Sequence, residues 1–254
     1  MISSNVQTEG GNSLRTQQRL IVLDVLRSTA LLGMIVFHFA RDLEMFGYVD
    51  EGTTMSGGWA LFARFIAGSF LLLAGVSLSL AHSSGIRWAA FFRRLVIVST
   101  AALAITLTTY AAVPEQFIYF GVLHVIAVSS LVGLIFLKLP MPTVFFATAC
   151  AFFLPDVFRT DVLNHPGLTW IGLSTRWRPS LDFLPLLPWV SPFLAGICIA
   201  RIFVRFGVWH VPKQARQTPG QVVWMLAWSG RHSLAIYLIH QPFLIGLLWL
   251  FSNL

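Results

Sequence analysis

Apolar and polar positions alternate along this chain on a coarse scale, in long hydrophobic runs separated by short polar, basic or proline-bearing breaks. The first run begins at Leu20, and its central stretch, Leu23 to Asp42, reads LDVLRSTALLGMIVFHFARD. A bilayer-spanning helix needs about 20 mostly apolar residues, so this stretch predicts a first transmembrane helix, too long for a signal-peptide core and without a small-residue cleavage site after it. The second run is Trp59 to Ala81, where Ala67, Gly68, Gly75 and Ser79 allow a neighbouring helix to approach closely. A third runs from Leu95 to Val113 behind Arg87, Arg93 and Arg94, and a fourth from Phe117 to Leu137 behind Pro114-Glu115-Gln116.

KLPMP then breaks the chain. The fifth run, Thr143 to Leu154, spans a membrane only if it extends into Asp156, Val157 and Phe158. Residues 155–182 turn polar and aromatic, with Trp170, Arg176, Trp177 and Arg178, and read as a long loop on a membrane surface. The sixth span opens through Pro185, Pro188 and Pro192, each lacking a backbone donor, so regular helix is expected only from Val190 to Phe206. After a basic linker with Lys213 and Arg216, a seventh span is expected from Trp228 to Phe251. The fold class is therefore all-α, a polytopic membrane helix bundle of about seven transmembrane helices, with six to eight as bounds. Residues 1–18, rich in Ser, Asn, Gln, Thr and Gly, read as a disordered tail, and residues 19–254 as one transmembrane domain.

Composition strengthens this picture. Hydrophobic residues make up 56% of the 254, charged residues only 11%, and mean hydropathy is +0.76, which excludes an ordinary soluble domain. The net charge of +7 does not point to nucleic acid, because the basic residues lie scattered at the ends of the apolar runs. Placing the amino terminus in the cytoplasm puts Arg15, Arg19, Arg87, Arg93, Arg94, Lys138, Arg201, Arg205, Lys213, Arg216 and Arg231 inside, and only Arg41, Arg159, Arg176 and Arg178 outside. Cys150 and Cys198 sit in apolar segments and read as packing residues. No metal spacing is visible.

The chemistry lies inside the spans. Arg27 and His38 are eleven residues apart, which at 100° per residue returns to nearly the same helix azimuth about 16 Å further along. Asp24 joins that stripe. Charged groups within a span face the bundle interior or a wet cavity and mark a site, unless Asp24 and Arg27 are simply a structural ion pair one turn apart. His38, near the outer end, is a candidate general base or nucleophile, with an interfacial histidine as the alternative. His124 lies in the outer half of the fourth span, either near His38 or as a hydrogen-bonded packing residue. Ser233, Tyr237, His240 and Gln241 form a second polar stripe in the seventh span. Histidines on three helices also suit haem ligation, so a haem- or quinone-binding electron-transfer subunit is the rival reading, with a lipid or solute transporter third.

LDVLRSTALLGMIVFHF resembles the first-helix motif of the transmembrane acyltransferases, with arginine, ten residues, then histidine. FIYFGVLHVIAVSSL and GRHSLAIYLIHQP resemble, more narrowly, bacterial relatives of the catalytic domain of heparan-α-glucosaminide N-acetyltransferase, over most of residues 19–250. The resemblance implies a bundle that takes acetyl from cytoplasmic acetyl-CoA and delivers it to an amine or hydroxyl of an extracytoplasmic sugar, lipid or envelope glycan. Carried over by position, it implies His38 as the active-site histidine and Arg27 as a residue that holds the coenzyme; His124 and His240 stand beside His38 as catalytic candidates from their places in the spans, and Asp24 on the first-span stripe and Arg93 and Arg94 at the basic inner mouth as coenzyme-binding candidates. The lysosomal enzymes carry asparagine where this chain has His38, and their catalytic histidine falls in the region of Met45 to Asp50, where this chain has none; the assignment of His38 therefore follows the wider acyltransferase motif. A bacterial inner membrane is the expected location, with acetyl-CoA as co-substrate, no metal or haem, no nucleic-acid partner, and a homo-oligomer left open.

Overall fold

A computed structural model describes residues 3–207 and 220–253, with side chains from Ile21 onward. Lys213 and Arg216 of the expected basic linker lie outside the described residues. Eight α-helices follow in order: α1 Ser3–Met45, α2 Gly57–Ala81, α3 Trp88–Ala112, α4 Val122–Phe136, α5 Met141–Val157, α6 Leu186–Arg205, α7 Gln221–Arg231 and α8 Ser233–Ser252. No strand occurs among the described residues. Within α1, Ile21–Met45 is long and apolar enough to cross a membrane, as are α2, α3, α6 and α8, while α4 and α5 are shorter apolar helices. The protein is a multi-pass helical membrane protein.

Several boundaries differ from the sequence expectation. Helix α1 is drawn from Ser3, inside the stretch expected to be a disordered tail; propagating an existing helix costs far less than nucleating one. Helix α3 starts at Trp88, seven residues before the expected Leu95, so Arg93 and Arg94 are helical rather than in a loop. Helix α5 does extend to Val157, behind Pro140 and with Pro142 in its first turn, where a missing N–H is tolerated. Leu187, between Pro185 and Pro188, breaks the start of α6 with φ −99° and ψ 129°, as the proline cluster predicts.

The expected seventh span is present as α8, and only its start is corrected. The expected stretch divides at His232 into α7 and α8, so Arg231 and His232 lie at a junction and not inside a continuous span. At 11 residues α7 is only about 16 Å long, too short to cross a bilayer.

Two compact units divide the chain, with α2 and α6 running from one to the other: residues to Ile66 and from Phe203 form the first, Ala67–Ile202 the second. In the first, α1 packs on α7 and α8. Leu23, Ala30, Leu31 and Met34 form the buried stripe of α1. The Ser28 hydroxyl donates to the Leu226 carbonyl of α7, and Gly230 brings the α7 backbone onto the Asp24 carbonyl, where a Cβ would collide.

In the second unit Leu71, Leu78, Val125, Val144, Phe193, Leu194 and Ile197 are fully buried. Cβ atoms at Gly75 and Gly196 would run into the carbonyls of Phe193 and Leu72, so glycine at both positions sets the α2–α6 contact. Arg201 donates to the Phe136 carbonyl at 2.7 Å and the Leu139 carbonyl at 2.8 Å, satisfying groups that the end of α4 leaves free. The loop before α6 is held by its own polar contacts, among them Asn164 to Asp161 at 2.8 Å and to Thr175 at 2.9 Å. Cys198 is buried in the core, whereas Cys150, also expected to pack, is exposed on α5.

Candidate active site

Two polar clusters sit along α1. Toward its amino-terminal half Arg27 donates to Asp24 at 2.6 Å, one helical turn away. Asp24 is buried, and Arg231 at the end of α7 places a second positive charge near it. The α7 backbone at Gly230 covers this pair closely, which the sequence spacing could not reveal.

The second cluster lies at the other end of α1. His38 and Asp42, four residues apart, project from one helix face, and α8 supplies His240 and Gln241 opposite them. The rings of His38 and His240 meet edge-on with centroids 5.0 Å apart. Gln241 donates from Nε2 to Asp42 Oδ1 at 2.7 Å. His240 Nδ1 lies 2.6 Å from the Tyr237 carbonyl oxygen, which can only accept, so Nδ1 carries the proton and Nε2 of the neutral ring is an acceptor. Asp42 Oδ2, Gln241 Oε1 and His240 Nε2 are buried without a hydrogen-bond partner among the described residues.

All three of these atoms are acceptors. Each buried polar atom left unpaired costs about 1–3 kcal/mol, so the cluster fits a group that brings N–H or O–H donors. Amines and hydroxyls have that chemistry. Asp42 was not among the sequence candidates for the site, and Gln241 entered only as a member of the polar stripe in the seventh span. The available signal was the i to i+4 step from His38 to Asp42, and the adjacency of Gln241 to His240.

His124 belongs to the second unit. Its Nδ1 accepts from the Gly121 N–H at 3.2 Å. Thr106 donates its hydroxyl to the Ile118 carbonyl at 2.7 Å, so it accepts from His124 Nε2, 3.2 Å away. Both ring nitrogens are thus engaged in holding the first turn of α4. Asp182 joins this start of α4, accepting from the Val122 N–H, and burial pushes its carboxyl up to about 6. Of the two other coenzyme candidates, Arg93 is exposed, while Arg94 lines a cavity of about 190 Å³ with Arg87 and His82. Among the described residues no group of three or more potential metal ligands converges.

The family model described as heparan-alpha-glucosaminide N-acetyltransferase, catalytic, matches residues 19–242. No curated protein and no solved structure matches the chain. The matched stretch contains Asp24, Arg27, His38, Asp42, His240 and Gln241, so both polar clusters fall inside it. A multi-pass helical chain matched over that length belongs to the family of the heparan-α-glucosaminide N-acetyltransferase catalytic domain, and is an acetyltransferase-type membrane enzyme for which the family implies acetyl-CoA as co-substrate.

Proposed function

We propose that the chain transfers an acetyl group from cytoplasmic acetyl-CoA to an amine or hydroxyl of an extracytoplasmic sugar, lipid or envelope glycan, in a bacterial inner membrane with the amino terminus inside. The observation that carries this reading is the meeting of His38 and His240 beside three buried acceptors at one end of α1, with the Asp24–Arg27 pair toward the other. The acceptor's N–H or O–H groups would be oriented by Asp42 Oδ2, Gln241 Oε1 and His240 Nε2. His38 takes the proton as the nitrogen or oxygen attacks the thioester carbonyl, the C–S bond breaks, and the coenzyme leaves as the thiolate. Arg27, buttressed by Asp24, holds the polyanionic coenzyme by charge. His124 acts as a positioning residue through its grip on α4.

General-base catalysis is worth about 10²–10⁴-fold. His38→Ala should therefore lower turnover by about that factor in proteoliposomes while leaving acetyl-CoA binding intact, and initial rates should require both substrates together. Ping-pong kinetics with an acetylated protein formed in the absence of acceptor would make His38 the nucleophile instead. Near-parental turnover in His38→Ala alongside its loss in His240→Ala would move the site to α8.

A further inference from the structure

Asp42 and Gln241 hold each other in one orientation. A carboxylate oxygen accepts, so the amide nitrogen of Gln241 faces Asp42 Oδ1, at 2.7 Å, and Gln241 Oε1 is the atom left over beside Asp42 Oδ2. Asp42 is only 1% exposed and makes no ion pair among the described residues; the neighbouring Arg41 pairs with Glu44 at 3.0 Å and bonds Thr54 at 3.2 Å. His240 adds a third fixed acceptor, because its Nδ1 proton goes to the Tyr237 carbonyl.

Acetylation reverses the polarity of the group that reacts. Before transfer the nitrogen or oxygen carries the hydrogen that His38 removes. Afterwards a bond to the acetyl carbon has replaced that bond to hydrogen, and a carbonyl oxygen, which only accepts, stands beside it. Among Asp42 Oδ2, Gln241 Oε1 and His240 Nε2 this oxygen finds no partner, and the buried acceptors lose a donor they had. Sites built to bond N–H or O–H groups reject analogues that lack them far more strongly than apolar pockets reject a misfit.

We infer that the Asp42–Gln241 hydrogen bond is a polarity lock: it opens this seat to unacetylated groups and closes it to acetylated ones, so that each transfer expels its own product. The inference rests on the acceptor reading above. Beyond the contact of its own Oδ2, Asp42 is here a positioning residue that sets selectivity through the amide of Gln241. Asp42→Asn breaks the lock without breaking the bond. Either the new amide nitrogen stands where Oδ2 stood, or it donates to Gln241, whose own amide then turns over and puts Nε2 where Oε1 stood. Both arrangements place an N–H donor among the acceptors. Adding Gln241→Glu removes it, because the amide at position 42 then donates to the carboxylate at 241 and both leftover atoms are oxygens again. The double variant keeps the parent's charge, bond and polarity with the two partners exchanged.

The test uses the full chain in nanodiscs, without coenzyme, and two uncharged probes: methyl glucoside, whose hydroxyls donate, and its tetra-O-acetyl derivative, whose carbonyls only accept. Neutral probes keep the charge lost in Asp42→Asn from deciding the result. Binding is followed by ligand-observed NMR, with empty nanodiscs subtracted, for the parent, Asp42→Asn and Asp42→Asn/Gln241→Glu. The parent should prefer methyl glucoside by about tenfold or more, and Asp42→Asn should lower that preference by about the same factor. The double variant should restore it to within about threefold of the parent. A merely structural role for Asp42 leaves the preference unmoved in a variant that still melts cooperatively. No preference in the parent, absence of binding included, overturns the lock, as does a preference that Asp42→Asn keeps or that a folded double variant fails to recover. If the double variant does not fold, Asp42→Asn decides alone. Acetyl-CoA binding is measured separately: a parent that does not bind it loses the transfer reading, while the probe preference still decides the lock.

Discussion

The histidines of this chain differ in what their ring nitrogens have left to offer. His124 uses Nδ1 on Gly121 and Nε2 on Thr106, so it has no free lone pair or proton for a ligand without breaking the start of α4. His240 spends only Nδ1, and its Nε2 remains an acceptor beside His38. Sequence position makes both candidates, His124 as a lone histidine in an apolar run and His240 as a member of a polar stripe, but it does not show which ring nitrogen is free. Carboxylates separate in the same way. Asp161, held by Thr175 and Asn164, has its carboxyl below the usual range, whereas burial raises Asp182 to about 6 from an ordinary value of 3.8. A raised acid makes the folded chain less stable once it ionises: the cost is absent below the unfolded value, grows between about 4 and 6, and is complete above. It is at most about 3 kcal/mol at 1.36 kcal/mol per unit, and less because Asp182 keeps some exposure. Asp182→Asn retains an acceptor for the Val122 N–H, so its melting temperature should exceed the parent's at pH 7.5 and match it at pH 3. An equal gain at both values would show that the carboxylate's ionisation is not the cause.

At the scale of elements, what the sequence revealed and what it hid follow one physical division. Runs of apolar residues announce helices because a bilayer demands them, and α2, α6 and α8 lie near their expected positions. Breaks inside an apolar run are harder to see. The stretch from Trp228 to Phe251 reads as one helix, yet it divides at His232, and the close meeting of Gly230 with the Asp24 carbonyl was equally hidden, because a glycine does not state its neighbour. The Asp42–Gln241 hydrogen bond joins residues 199 positions apart, a pairing no periodicity encodes. By contrast the stripe through Asp24, Arg27 and His38 needed only helix geometry, since all three share α1. Gly230→Ala tests the α1–α7 contact. Its methyl would push α7 off α1 at the Asp24–Arg27 pair, and overpacking of this kind costs about 1–3 kcal/mol. The variant should melt several degrees below the parent, while Gly246→Ala, in open space on α8, should not. Equal melting temperatures would mean that α7 does not rest on α1 through this contact.

For the whole molecule the open question is which helices cross. Helices α4 and α5, with 15 and 17 residues, are about 22 and 26 Å long, against a hydrocarbon core of about 30 Å. They either both cross, where the bilayer thins around them, or both dip in and return on the same side. The flanking segments do not distinguish these cases, because the loop before α6 ends on the same side in both. The α4–α5 turn does distinguish them. With the amino terminus inside, Ser84 in the α2–α3 turn is cytoplasmic and Val162, exposed in the loop before α6, is outside. Lys138, exposed in the α4–α5 turn, is cytoplasmic only if both short helices cross. The placement of Arg201 favours crossing: its guanidinium takes the Phe136 and Leu139 carbonyls where α4 ends, and Arg201 lies toward the end of α6, a full-length span. Single cysteines at positions 84, 138 and 162, with Cys150 and Cys198 replaced, should give labelling by an impermeant thiol reagent in intact cells at 162 only, and at all three after permeabilisation. Failure to label 138 even after permeabilisation would make α4 and α5 a re-entrant pair with its turn inside the bilayer. Labelling at 84 and 138 but not 162 would invert the protein, put His38 on the cytoplasmic side, and remove the reason for acetyl transfer across the membrane.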